Sequence, residues 1–145
     1  MAHTLQCRVL NAGAARGVVI RLDAPLSFWG GYDPSNGTVI DQRHPQAGVT
    51  VAGQVIVLPS SRGSAGTPAG VAESLRAGHG PSAIVIASDD VNIAIGAMVA
   101  DKLYASSTPV VAIDLGDLES LHSGQNVSID ALASGRGEIV IHTVQ

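Results

Sequence analysis

The sequence predicts an α/β fold of β/β/α arrangement, and three observations carry that reading. The first third holds short β-like runs separated by turn formers. The middle alternates continuous apolar runs with helical periodicity, and the chain returns to a β pattern at its end. At 145 residues the chain is expected to form one domain, residues 1–145, with room for a proper core.

Taken in order, residues 5–10 and 18–22 read as strands around a loop at 11–17 whose glycines permit turning. An irregular segment at 25–38 follows, holding Phe28, Trp29, Tyr32 and the turn-forming run Asp33-Pro34-Ser35-Asn36-Gly37. Val39-Ile40 forms a short strand, 41–48 a polar loop and 49–58 the central strand. Thr67 then caps a helix with Pro68 in its first turn. Val71, Ala72 and Leu75 share its buried face, and Gly78 and Gly80 end it. Residues 83–87 are continuously apolar, as in a strand covered on both faces. Ser88-Asp89-Asp90 caps a second helix running to about Tyr104, with Ile95, Val99 and Leu103 spaced as a buried stripe. A second apolar strand at 109–113 makes a parallel pair with the first. One or two helical turns at 117–122 precede closing strands at 126–129 and 138–144, around a Gly135-Arg136-Gly137 turn.

Composition excludes several classes of function. The net charge is −4, and the eight basic residues are scattered rather than clustered, against what nucleic-acid binding requires. Cys7 is the lone cysteine, so this chain forms no internal disulfide or cysteine-based metal site, and a buried, inert thiol is expected. The five histidines lack ligand spacing. The N-terminus does not read as a signal peptide, and no apolar run reaches membrane-spanning length. The expectation is a soluble cytoplasmic domain.

Chemistry is concentrated at 58–67, where Ser60, Ser61, Arg62, Gly63, Ser64 and Gly66 sit at a strand-to-helix turn. Backbone N–H groups and a positive helix end converge there, which suits an anion. Arg62 offers a planar fork for a carboxylate, and the glycines let backbone approach a ligand closely. A serine beside such donors is able to serve as a base. Spacing alone equally fits a Gly/Ser loop that only caps the following helix. Gly63-x-x-Gly66 lacks the lysine of a phosphate-binding P-loop. Asp89-Asp90 reads as a cap rather than a catalytic pair, and Asp114 as a turn residue. Ser88 or Asn92 is placed to face the same crevice, at the end of an apolar strand. Phe28, Trp29 and Tyr32 read as a contact surface or lid rather than core. No Ser–His–Asp set can be assembled.

These residues resemble a known family. Ser60-Ser61-Arg62 is similar to the serine–serine–arginine signature in the swivelling domains of aconitase and isopropylmalate isomerase. Over nearly its full length the chain resembles the small subunit, or C-terminal swivelling domain, of the aconitase X family. The carrying segments are Ser27-Phe28-Trp29-Gly30-Gly31-Tyr32-Asp33-Pro34 with Gly37, then Val51-Ala52-Gly53-Gln54-Val55-Ile56-Val57, then Arg62-Gly63-Ser64 with Gly66. The apolar runs at 83–85 and 109–113 complete the set.

The resemblance implies a swivelling β/β/α domain, as in the aconitase small domain, and a hydro-lyase of dehydratase type built from a large and a small subunit. Implied substrates are cis-3-hydroxy-L-proline or 5-phosphomevalonate, and a non-catalytic swivelling or ligand-binding domain is the reading from another class. An iron or iron–sulfur centre is expected on the large subunit, as Lewis acid for the departing hydroxyl, with no cofactor bound by this chain and no activity when it stands alone. Within this chain the resemblance implies Ser64 as the proton acceptor, with Arg62 beside it. Ser60, Ser61, Gly63 and Gly66 are implied in substrate binding. The aconitase signature itself points to Ser60 as the base; the aconitase X pattern favours Ser64. Arg62 stands where archaeal members tend to have lysine, which suits an amino-acid carboxylate.

Overall fold

The computed structural model describes residues 3–63 and 65–142. Ser64, and positions 143–144 of the expected closing strand, lie outside the described residues. Strands β1 (His3–Asn11) and β2 (Gly13–Arg21) precede a long loop holding a two-stranded ribbon, β3 (Tyr32–Asp33) and β4 (Thr38–Val39). Then come β5 (Val55–Leu58), α1 (Thr67–Arg76), β6 (Ala83–Ile86), α2 (Val91–Tyr104) and β7 (Val110–Ala112). A 3-10 helix at Leu115–Ser120 leads to β8 (Asn126–Ala131) and β9 (Arg136–His142).

Seven strands close a barrel in the order β1-β7-β6-β5-β2-β8-β9. β2, β5, β6 and β7 are parallel neighbours; the other pairings are antiparallel. Every residue of β5, β6 and β7 is buried, and the two-residue period sorts them between two cores. Val55, Val57, Val85 and Val111 fill the barrel with Ile129 and Ile139. Ile56, Leu58, Ile84 and Ile86 face outward into a second core shared with Phe28, Val71 and Ile93. Coverage on both faces is why these strands read as unbroken apolar runs. Each Leu or Ile fully buried there contributes about 1.5–3 kcal/mol. β8 and β9 instead alternate buried and exposed residues, the mark of one solvated face.

Four expectations are corrected. Residues 13–17 belong to β2 rather than to a loop, because their glycines serve close packing: a Cβ at Gly17 would lie 3.1 Å from Ser82 Oγ. The central strand begins at Val55, since Gly53, with φ +71°, turns the chain just before it. In α2 the buried residues are Ile93, Ala94, Gly96, Ala97 and Ala100, while Ile95, Val99 and Leu103 are exposed. Small residues face inward because α1 lies close: a Cβ at Gly96 would sit 2.6 Å from the Pro68 carbonyl oxygen. Phe28 and Tyr32 are core residues, packed edge to face at 5.3 Å, with the Tyr32 hydroxyl 2.5 Å from Ser74 Oγ. Of that aromatic trio only Trp29 is exposed, at 60%. No helix among the described residues is long and apolar enough to cross a membrane.

Candidate active site

The chemistry-bearing loop leaves the C-terminal end of β5, the edge where parallel sheets present ligand sites. It is fixed against the loop after β2 by backbone pairing: Leu26 N–H donates to Ser60 O at 3.3 Å, and Arg62 N–H to Leu26 O at 2.9 Å. Ser60 thus acts through its carbonyl, with its side chain half-buried. Ser61 Oγ donates to Asp90 Oδ2, while Asp90 Oδ1 accepts the Ile93 N–H at 3.1 Å. The expected cap of α2 is therefore also a latch on the loop. Gly66, not Thr67, is the N-cap of α1, and no side chain caps that helix; Thr67 is buried in its first turn. The end is closely covered, since a Cβ at Gly66 would lie 2.4 Å from Trp29 Cγ.

Arg62 stands 69% exposed, its Nη1 3.7 Å from Asp41 Oδ2. The pair borders an open depression of about 420 Å3 lined by Ser27, Trp29, Gly30, Gly31, Asp41, Arg62 and Gly63. Nothing lies within 4 Å of a Cβ built on Gly63, so the space above it is open. Arg62 and Gly63 therefore meet at one site, with Ser61 anchoring the loop between them and Ser60. Ser64 lies outside the described residues. Ser88 is half-buried and Asn92 exposed, and neither lines the depression. Asp114, expected only to turn the chain, is bridged with Asp89 by Arg8, each at 3.1 Å. Sequence reasoning missed Asp41, which sits in a polar loop without a motif, and the second role of Asp90.

Elsewhere two histidines make side-chain hydrogen bonds. His44 is buried, with Nε2 3.0 Å from Ala24 O and Nδ1 accepting the Gln46 N–H. His142 Nε2 lies 2.8 Å from Ser128 Oγ, but among the described residues no carboxylate is bonded to that imidazole, as a catalytic set would need. No three His, Cys, Asp or Glu side chains among the described residues converge as a metal-ligand set.

The aconitase X swivel domain family matches residues 4–141. The chain belongs to that family. This swivel domain is 37% identical over 112 residues to cis-3-hydroxy-L-proline dehydratase of Pseudomonas aeruginosa, covering 77% of the chain and 19% of that enzyme. It thus spans about a fifth of the length of the hydroxyproline dehydratases it matches. It is 32% identical over 136 residues to the phosphomevalonate dehydratase small subunit of Thermococcus kodakarensis, covering 94% of the chain and 96% of the relative. The fold of the swivel domain superposes on the crystal structure of Thermococcus kodakaraensis aconitase X in its holo form. The TM-score is 0.84 at 31% identity, over 97% of this chain and 99% of the other. The swivel domain is thus homologous both to part of proteins named cis-3-hydroxy-L-proline dehydratase and to proteins named phosphomevalonate dehydratase small subunit.

Proposed function

We propose that this chain, as one swivel domain, is the small subunit of a two-subunit aconitase X-type dehydratase acting on cis-3-hydroxy-L-proline. The observation that carries the proposal is the exposed Arg62 guanidinium beside Gly63, at the rim of an open depression on the C-terminal edge of β5. Arg62 grips the substrate carboxylate as a fork, and the loop's backbone N–H groups steady the charge that develops as the α-proton leaves. Ser64, as alkoxide, takes that proton. The C–H electrons form the C2–C3 double bond as the C3–O bond breaks and hydroxide leaves; hydroxide takes a proton from solvent to become water, and Ser64 returns its proton to solvent. The enamine so formed tautomerises to Δ1-pyrroline-2-carboxylate. The iron or iron–sulfur centre belongs, in this reading, to the large subunit. Phosphomevalonate is the second substrate reading, favoured by relatives named small subunits that match nearly end to end.

The test is reconstitution with the large subunit and assay of both substrates. Cis-3-hydroxyproline is expected to yield pyrroline carboxylate, and Ser64→Ala to lower kcat by about 10²–10⁴-fold with assembly unchanged. Near-normal turnover by an assembled Ser64→Ala enzyme would show that the base lies elsewhere.

A further inference from the structure

The depression beside Arg62 is built for two charges of opposite sign. Arg62 Nη1 and Asp41 Oδ2 face each other at 3.7 Å, beyond direct hydrogen-bond distance. An ion pair that wide, with Arg62 exposed and Asp41 half-buried, contributes little and is readily exchanged for a ligand. Asp41 is held in place independently of Arg62. Its Oδ1 accepts the Arg43 N–H at 3.0 Å, its N–H donates to Gly31 O at 3.3 Å, and its carbonyl accepts the His44 N–H at 3.0 Å. Oδ2 is the oxygen turned to Arg62. The third element is Trp29, 60% exposed with its indole seated on Gly66. An aromatic face beside a carboxylate suits a cation carried on an apolar ring. At Gly30 and Gly63 nothing lies within 4 Å of a built Cβ, so a ligand there meets backbone.

We propose that this depression binds the zwitterionic head of a cyclic α-amino acid. The carboxylate lies on Arg62, the secondary ammonium on Asp41 Oδ2, and the ring against Trp29. The proposal rests on the dehydratase reading and adds a specificity-determining residue to it, Asp41. An α-amino acid carries both charges on one carbon, so a side-by-side Arg and Asp complement both at once. A phosphorylated hydroxy acid brings negative charge at both ends and no cation. Asp41 opposes it and Arg62 alone must attract it, so the site selects against polyanions through repulsion as well as for zwitterions through attraction.

The chain has one tryptophan, so Trp29 fluorescence reports the site directly. The whole chain is titrated with L-proline, with tetrahydrofuran-2-carboxylate (the same ring without the ammonium) and with mevalonate 5-phosphate. L-proline is expected to bind at least about tenfold tighter than either, the effect of one charge-assisted hydrogen bond. Asp41→Asn brings L-proline down to the level of the furan acid, and Arg62→Gln weakens both. In the assembled enzyme Asp41→Asn raises KM for cis-3-hydroxyproline about tenfold and changes kcat far less. Equal affinity for proline and the furan acid, or an Asp41→Asn chain that binds proline normally, overturns the proposal. The ligand series on the unaltered chain decides the matter even if the variant fails to fold. Asp41-dependent proline binding in an assembly that turns over nothing would sink the dehydratase reading alone. Turnover of cis-3-hydroxyproline with a KM that Asp41→Asn leaves unmoved would sink this proposal alone.

Discussion

Asp90 serves two elements with its two oxygens, capping α2 at Ile93 N–H and receiving Ser61 Oγ from the site loop. Asp90→Ala removes both bonds and is expected to cost about 1–2 kcal/mol, whereas Ser61→Ala, which keeps the cap, costs about 1 kcal/mol. Urea denaturation of the two variants separates the latch from the cap; equal losses would mean that the cap adds no stability beyond the latch. Cys7 offers a second test. Burial, then the nearby Glu138 charge, pushes its thiol up to about 11 from the ordinary 9.0. Above pH 9.0 the unfolded chain releases this proton while the folded chain keeps it. Stability is therefore lost as pH rises from 9.0 towards about 11. A Cys7→Ser variant is expected to show a shallower alkaline loss in denaturant midpoints taken across that window. At this scale the sequence marked Arg62 as a candidate, because a lone arginine among serines and glycines after an apolar strand is a local pattern. Asp41 was illegible, since its partner lies well along the chain and is joined to it only by the fold.

At the scale of elements, α1 touches the site through a glycine. A Cβ at Gly70 would lie 2.0 Å from the Phe28 carbonyl oxygen, so α1 packs directly on the backbone of the loop that carries Trp29. Alanine improves helix propensity by about 1 kcal/mol, but a clash with backbone has no flexible neighbour to absorb it and costs about 1–3 kcal/mol or more. Gly70→Ala is therefore expected to destabilise the fold and to shift the Trp29 emission maximum. A variant of raised melting temperature with unchanged emission would contradict that contact. The parallel strands and both helices were legible because a strand covered on both faces is apolar throughout and because Asp90 and Pro68 mark helix starts. The orientation of α2 was not. Its large apolar residues form a clear stripe, yet the inward face belongs to Ala and Gly, selected for closeness rather than hydrophobic bulk.

Over the whole molecule, two kinds of sheet share one barrel. The parallel half carries the helices, and its C-terminal edge gathers Ser61, Arg62, Asp89, Asp90 and Asp114 from three successive loops. The antiparallel half turns one face to solvent. Alternation made β8 and β9 legible, but closure into a barrel was not, because pairing between strands far apart in sequence leaves no local pattern. That closure also sets a timetable for the chain on the ribosome. β1 pairs with β9 from His3–Ile141 through Arg8–Arg136, while its last residues pair with β7. Within this domain β1 must therefore wait, with unmatched hydrogen-bonding groups, until β9 has been translated. Such long-range closure is slow and leaves open edges available to other chains meanwhile. The barrel that ends without an edge spends its synthesis with two.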